Sequence, residues 1–401
     1  MEQKITKNCQ NCDNNFIITE DDQQFYAKID VPMPIFCPDC RLQRRLAFRN
    51  ESILYWRNCD LCKKKMVSVY HKDSPYTAYC QKCWWSDNWD PMEYGQEYDF
   101  NKPFFEQFDK LWKNSPMLNL TNTNAVNSDY INSTLNIKDS YLIFGAVKCE
   151  NCYYCTYLSR CKDSLDLYSV LNVELCYESI FLNQSFKVFF SKYTNNSYDS
   201  SFLYDCRNVS NCFGSINLRN KKYYIFNKQY TKEEYEEKIK EMDLGSYSNL
   251  IEIKEKFNDL ENKYPRKYAR IINSDNCTGD NIKNSKNCKD CFDVKDGGLK
   301  NCKNIFHPYG NIVIKNSRLS DFIGQGAESC YESISVNACS NIYYSKKIWT
   351  GFNINYSYNC FNCSNLFGCI SLRNKQYCIL NKQYSKQEYE KLALKIREHT
   401  G

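Results

Sequence analysis

From about residue 121 to the end of the chain, apolar and polar positions follow a short, steady step. Its markers are Tyr130, Tyr141, Tyr153, Leu165, Tyr177, Val188, Ser200, Cys212 and Tyr224, each set among Asn, Ser or Cys. A step of roughly 11–12 residues is one short strand plus a turn. Two such strands make a coil of roughly 23 residues, and coils of this kind stack because one alone cannot bury its inner face. Asn and Ser between the strands suit tight turns through side-chain hydrogen bonds and tolerance of left-handed backbone. The same step returns at Tyr331, Tyr343, Asn355, Phe367 and Cys378. The pattern predicts a mainly β protein with a repetitive, β-solenoid-like body; a pair of antiparallel β-sandwiches would leave a similar trace.

The body is duplicated in sequence. Phe213-Gly214-Ser215-Ile216-Asn217-Leu218-Arg219-Asn220-Lys221 returns as Phe367-Gly368-Cys369-Ile370-Ser371-Leu372-Arg373-Asn374-Lys375. At the same offset, Asn227-Lys228-Gln229-Tyr230 matches Asn381-Lys382-Gln383-Tyr384, and Cys176-Tyr177-Glu178-Ser179 matches Cys330-Tyr331-Glu332-Ser333. Each copy ends in a helix signal. Thr231-Lys232-Glu233-Glu234 and Ser385-Lys386-Gln387-Glu388 are capping boxes, in which a hydroxyl and a carboxylate satisfy two exposed backbone donors. The helices they open carry Tyr235, Ile239 and Met242, then Tyr389, Leu392, Leu394 and Ile396, and fit the role of end caps over open strand edges. Residues 247 to 263 predict a further helix, ended by Pro265, that joins the copies. Phe104, Phe105, Phe108, Leu111 and Trp112 predict an amphipathic helix bridging into the body.

The first 95 residues have a different character. Cys9-x-x-Cys12 and Cys37-x-x-Cys40 form one set, and Cys59-x-x-Cys62 and Cys80-x-x-Cys83 a second. A C-x-x-C turn places two thiolates about one tetrahedral edge apart, and two turns complete the four-sulfur shell that zinc accepts. Four sulfurs saturate the metal and leave no place for a reacting water, so both zinc ions read as structural. Sequential pairing is the favoured arrangement, with an interleaved cross-brace as the alternative; His71 could replace one Cys of the second set. The chain then divides into a first ribbon (1–50), a second ribbon (51–95), a helical bridge (96–120), one β copy with its helix (121–245), a linker (246–272) and the other copy (273–401).

These cysteines, with Phe16, Phe25-Tyr26 and Pro34-x-x-Cys37-Pro38-x-Cys40-Arg41, resemble a probable zinc-ribbon domain of treble-clef type. With Trp84-Trp85-Ser86-Asp87-x-Trp89-Asp90-Pro91 and the two Leu-Arg-Asn-Lys motifs, the chain is similar to cysteine-rich proteins of reduced-genome bacteria and giant viruses, a resemblance that implies no particular activity. Ribbons of this type usually carry glycine after the second cysteine; here Asp13 stands there.

Composition narrows the functions open to the chain. It has 401 residues, 25 of them Cys and only 3 His, with a net charge of +6. An odd cysteine count with tight pairs fits thiolate ligands in a reducing, cytoplasmic setting better than a disulfide framework. No apolar run is long enough for a membrane helix and the first residues are polar, so neither a membrane nor a secretory route is expected. The signatures G-x-x-x-x-G-K, G-x-G-x-x-G, G-x-S-x-G and H-E-x-x-H do not occur, and the commonest general base is nearly missing. A non-enzymatic binding protein is the expectation, with no small-molecule substrate in view.

Candidate contacts follow from charge. Arg41, Arg44, Arg45 and Arg49 would share one face of a helix after the second knuckle, and arginines in that array suit phosphate. Lys63, Lys64 and Lys65 add a second basic spot, and Trp84, Trp85 and Trp89 could stack on unpaired bases or form the small core of the ribbon. The partner is DNA or RNA on this reading, and a protein bound by the repetitive body on the other. Farther on, Cys149-x-x-Cys152-x-x-Cys155, Cys288-x-x-Cys291 and Cys360-x-x-Cys363 read as inward ladders of small side chains or as a third metal site.

Overall fold

The computed structural model describes residues 4–28, 31–47, 50, 52–286, 291–294, 334–340 and 346–400. The markers Tyr331 and Tyr343, the Cys330–Ser333 match, Cys288 and Arg49 lie outside the described residues, as does the side chain of Arg45. The fold is mainly β and falls into two compact units, one of residues 1–50, 55–119 and 269–401, the other of residues 51–54 and 120–268. No described helix is long and apolar enough to cross a membrane.

The second unit is built on a ten-stranded sheet. Its strands are β7 (Asn122–Val126), β8 (Asn132–Lys138), β9 (Tyr141–Ser159), β10 (Lys162–Glu174), β11 (Tyr177–Ile180), β12 (Asn183–Phe189), β13 (Tyr198–Tyr204), β14 (Ser210–Ile216), β15 (Lys222–Ile225) and β16 (Lys228–Gln229); the six short strands before it, β1 (Ile5–Asn8), β2 (Asn15–Ile18), β3 (Tyr55–Asn58), β4 (Lys65–Ser68), β5 (Ala78–Tyr79) and β6 (Met117–Leu118), belong to the other unit. All neighbours are parallel except the last pair, β15 with β16. Thr134 lies opposite Asn122, Leu165 opposite Tyr153 and Tyr177 opposite Leu165, always 12 residues on. This corrects the expectation of two strands per 23 residues, and parallel neighbours leave no room for the antiparallel sandwich alternative in this sheet.

The 12-residue advance is possible because the backbone turns a corner every third residue. From Asn124 to Phe226, φ is positive at almost every third position, at Asn151, Tyr154, Tyr157, Arg160 and Asp163 for example. Each L-residue held there costs about 1–2 kcal/mol, least for Asn and Asp. Compensation is visible on both sides of the corner. Outside, corner residues pair across strands, Asn127 to Asp139 at 2.7 Å and Asn151 to Asp163 at 2.8 Å, while Phe190 and Phe202 stack at 4.7 Å between ring centres. Inside, the residue after each corner is small or apolar: Cys149, Cys152, Cys155, Leu158, Cys161, Leu167, Val170 and Val173 form one buried column set. Inward hydroxyls bind the backbone as well. Ser164 Oγ donates to the Lys162 carbonyl and accepts from the Cys176 amide one strand away.

One correction follows for the sequence markers. Tyr153 and Tyr177 point outward, whereas Val188 and Cys212 are fully buried, so the series crosses from one column to another after Tyr177. The helices behave closer to expectation. Thr231 and Glu234 make both halves of a capping box ahead of a helix at Lys232–Glu241, and Tyr247–Lys263 forms the next helix. Both pack on the aromatic side of the sheet, where Phe202, Phe213, Tyr235, Ile253 and Phe257 are buried together.

The first unit contains a five-stranded sheet, in which strands at Lys346–Asn355, Phe361–Phe367 and Gln376–Ile379 again pair 12 residues apart in parallel. The amphipathic helix, Phe104–Asn114, packs on this sheet: Phe104 and Leu111 are buried with Tyr358, Phe367, Ile379 and Leu380. Gly368 marks the close approach. Its φ is +65°, and a Cβ there would lie 2.9 Å from the Phe104 ring. The last helix, Lys386–Thr400, buries Tyr389, Ala393 and Ile396, while Leu394 faces solvent. In the paired motifs, Asn227 and Asn381 make the same two side-chain bonds, to the backbone of Ile216 and of Ile370.

Candidate metal centres

Each cysteine set is assembled from a hairpin and the start of a helix. In the first, β1 (Ile5–Asn8) and β2 (Asn15–Ile18) pair antiparallel and carry Cys9 and Cys12 in their turn. Cys37 and Cys40 come from the head of the helix Pro38–Leu46. In the second, β3 (Tyr55–Asn58) and β4 (Lys65–Ser68) carry Cys59 and Cys62. Short strands β5 (Ala78–Tyr79) and β6 (Met117–Leu118) lead to and brace Cys80 and Cys83 at the helical turn Gln81–Trp84. The knuckles match closely. Asp13 N donates to the Cys9 carbonyl and Lys63 N to the Cys59 carbonyl, both at 2.9 Å. Asp13 has φ 57° and Lys63 φ 61°, the left-handed geometry that glycine would supply at no steric cost. Asn8 Nδ2 helps to hold the first turn through the Asp13 carbonyl, at 2.8 Å.

The sulfur atoms of Cys9, Cys12, Cys37 and Cys40 lie within 4.8 Å of one another, as do those of Cys59, Cys62, Cys80 and Cys83. Sequential pairing therefore holds and the cross-brace does not. Cys12 and Cys37 are 3.7 Å apart and Cys62 and Cys80 3.9 Å. A tetrahedral zinc with bonds of about 2.3 Å requires sulfur separations of about 3.8 Å. Backbone donors already point at the sulfurs: Cys37 N at Cys9 Sγ, 3.2 Å, and Cys80 N at Cys59 Sγ, 3.3 Å, with Asn11 Nδ2 3.2 Å from Cys40 Sγ.

Without a metal the thiols of each set do not ionise alike. Burial raises the Cys9 thiol, but backbone hydrogen bonds from Cys37, Asn11 and Cys12 outweigh it and hold it at about 6. At Cys40 the Asn11 bond is outweighed by burial and the neighbouring thiols, which push it up to about 12. The second set repeats the split. A backbone bond from Lys64 leads in holding Cys62 at about 7, while burial and then its three neighbours push Cys83 up to about 12. Four thiolates this close repel unless a divalent ion compensates them. The two clusters fit two structural zinc ions, with all four positions taken by protein.

Among the described residues no other group of His, Cys, Asp and Glu side chains comes together in this way. His71 stays outside the second cluster, exposed, 3.5 Å from Asp73. Cys149, Cys152 and Cys155 point into the body, each sulfur donating to the carbonyl two residues before it. Cys360 and Cys363 do the same, so the ladder reading applies to these and to the buried Cys291.

The basic residues part company. Arg41 is only 6% exposed; its guanidinium donates to the Tyr26 hydroxyl at 3.0 Å, inside the first ribbon. It is not part of an exposed phosphate face, which corrects the four-arginine reading. Arg44 is exposed and lies over the Phe36 ring at 4.6 Å. Lys63, Lys64 and Lys65 are all exposed at the second knuckle. Trp84 and Trp89 are buried and unavailable for base stacking. Trp84 Nε1 donates to the Pro116 carbonyl, and Trp89 Nε1 to the Trp84 carbonyl. Trp85 is 47% exposed, edge-on to Trp84 and Phe361.

Sequence reasoning overlooked one contact. Arg373 donates to the Trp84 carbonyl at 2.9 Å and stacks on Trp84 and Trp89, fixing the second ribbon to the C-terminal sheet. Nothing in a pattern of neighbours along the chain announces that contact. Residues 3–49 match a family model described as a probable treble clef domain. A search of curated proteins finds no match to the chain.

Proposed function

We propose that this is a non-enzymatic, zinc-stabilised protein of reducing compartments that binds nucleic acid through its ribbons. The observation carrying this reading is the cluster of exposed lysines at the second knuckle. The ribbon as a whole, residues 51–95, balances six basic side chains, Arg57, Lys63, Lys64, Lys65, Lys72 and Lys82, against six acidic ones, but the basic ones gather at the knuckle. Three of the six sit consecutively at a zinc-braced turn, where the metal supplies the rigidity and the ammonium groups supply the phosphate contacts. Arg44 of the first ribbon is a further candidate contact. The 12-residue registers support reading each copy of the body as a stacked β-solenoid.

The test is binding of the zinc-loaded full chain to fluorescent DNA and RNA, followed by anisotropy over a salt series. Affinity should fall steeply with salt, and Lys63→Ala/Lys64→Ala/Lys65→Ala should flatten the logarithmic slope by about 2–3. An unchanged slope in a variant that retains two zinc ions rejects the reading. A second reading, a protein-binding scaffold, is favoured by one observation: Tyr141, Tyr153 and Tyr154 remain exposed on the body. It predicts salt-tolerant capture of a protein partner by the chain with the three lysines replaced.

A further inference from the structure

We infer that Cys62 and Cys80 form an oxidation site, a pair of sulfurs that hydrogen peroxide joins as a disulfide with loss of the second zinc ion. This rests on the two-zinc reading and is independent of nucleic-acid binding. The two clusters share sulfur spacing but not access. In the first, Cys12 is exposed and Cys9, Cys37 and Cys40 are buried. In the second, Cys62 is exposed and Cys80 half-buried, with their sulfurs 3.9 Å apart. The surrounding charge differs as well. Asp13 follows Cys12, and Asp39 lies between Cys37 and Cys40. Lys63 and Lys64 follow Cys62, and Lys82 lies between Cys80 and Cys83, all three exposed. The Lys63 ammonium is kept at the knuckle by the Asp60 carbonyl, 2.6 Å away. The Asp60 carboxylate does not oppose it, since it accepts from Arg57 at 2.8 Å and from the Ala78 amide at 2.7 Å. Cysteines react where they are reachable and where nearby cations favour the anions involved. The second set meets both conditions.

The chemistry balances with hydrogen peroxide as the oxidant. Cys62 Sγ attacks one peroxide oxygen, the O–O bond breaks and hydroxide leaves, so that this sulfur becomes a sulfenic acid. Cys80 Sγ then attacks the Cys62 sulfur and displaces a second hydroxide, forming the S–S bond. The two sulfurs give up two electrons, and the peroxide takes them to become two hydroxides. Cys59 and Cys83 alone do not complete a zinc shell, and they take up protons as the ion leaves. Closing the bond shortens the sulfur separation from 3.9 Å to about 2.05 Å, so one cysteine has to move. Cys80 precedes a helical turn of only four residues, whereas the buried Cys37 of the first set heads a nine-residue helix. The Trp84 amide donates to the Cys80 carbonyl at 2.8 Å, so the movement reaches the residue that Arg373 holds.

The experiment treats the zinc-loaded full chain with hydrogen peroxide, follows zinc release with a chelating dye and maps disulfides by mass spectrometry. One ion per chain should leave about tenfold faster than the other, in step with a Cys62–Cys80 disulfide, and dithiothreitol with added zinc should restore both. Cys80→His keeps four ligands but removes the second sulfur, so it should hold its ion while a Cys62 sulfenic acid accumulates and is trapped by dimedone. Should that variant fail to load zinc, the wild-type disulfide map decides. No release, equal release of both ions, or a first disulfide that contains Cys12 overturns the proposal. Release from zinc-loaded Cys80→His at the wild-type rate does so too, and a wild-type chain that never carries two ions removes its premise. No nucleic acid is present in this assay, so its outcome is separate from that of the salt series.

Discussion

Residues 5–18 and 55–68 trace the same hairpin, with Cys9 over Cys59, Cys12 over Cys62, and a left-handed residue after the second cysteine in each. Their surroundings differ. The first ribbon closes on its own small core of Phe16, Ile18, Phe25 and Tyr26, and residues 5–46 carry five basic side chains against six acidic. The second buries Trp84 and Trp89 with Leu118, packs Phe361 against them, and gathers Lys63, Lys64 and Lys65 at its knuckle. One metal geometry thus serves two purposes: a self-contained module, and a joint that ties a basic hairpin to a distant sheet. Sulfur spacing dictates the first feature. The second depends on which aromatic side chains flank the sulfurs.

The sharpest way to break this contrast is to remove one ligand from each site. Structural zinc contributes about 10–16 kcal/mol to folding, so Cys9→Ser and Cys59→Ser should each release one ion and unfold their own ribbon. Only Cys59→Ser should also loosen the C-terminal sheet, seen as faster hydrogen exchange at residues 376–380. Equal acceleration in both variants would erase the distinction between module and joint.

A smaller effect is expected at the joint itself. Trp84→Ala removes a fully buried indole and should cost about 3–5 kcal/mol, read as a lower urea midpoint. Arg373→Ala loses a hydrogen bond and two ring contacts, for about 2–3 kcal/mol. The matching Arg219→Ala should cost less, because its partner Asp205 keeps Lys267 at 2.9 Å. The smallest expected change sharpens the likeness of the knuckles. Asp13→Gly and Lys63→Gly should each stabilise by about 1 kcal/mol or less, more at Lys63, since Asp tolerates the left-handed region better. Thermal melting of the zinc-loaded protein checks this.

Much of the plan was legible along the chain, for identifiable reasons. Cysteine spacing names ligands directly, because a four-sulfur shell admits few arrangements. The capping box at Thr231 is a local motif and appears where it was expected. The step of 11–12 residues was legible too, but it was read as half a coil of about 23, and the inner logic of the corners was missed. Strands are normally read with a period of two, whereas here one residue in three faces inward, and bulky Tyr154, Tyr157 and Phe181 occupy corners that propensity assigns to Asn or Gly. Stacked rings stabilise those corners in a way visible only across strands. Arg41 failed for the opposite reason. A helix-face argument counts side chains on an arc, and it could not see the Tyr26 hydroxyl waiting on that arc.

The three-residue corners leave a mark on how the body can change length. Deleting a single residue from, say, β10 would hand the inward place of Leu167 to Asp166 or Tyr168 and every later position would inherit the error. Losing three would restore facing but break the alignment of strand with strand. Within the ten-stranded sheet only a loss or gain of twelve keeps both facing and alignment. In the other unit Ile271 lies opposite Ile282, an eleven-residue step that includes Gly279, so a shorter advance needs a residue free of a side chain at the corner.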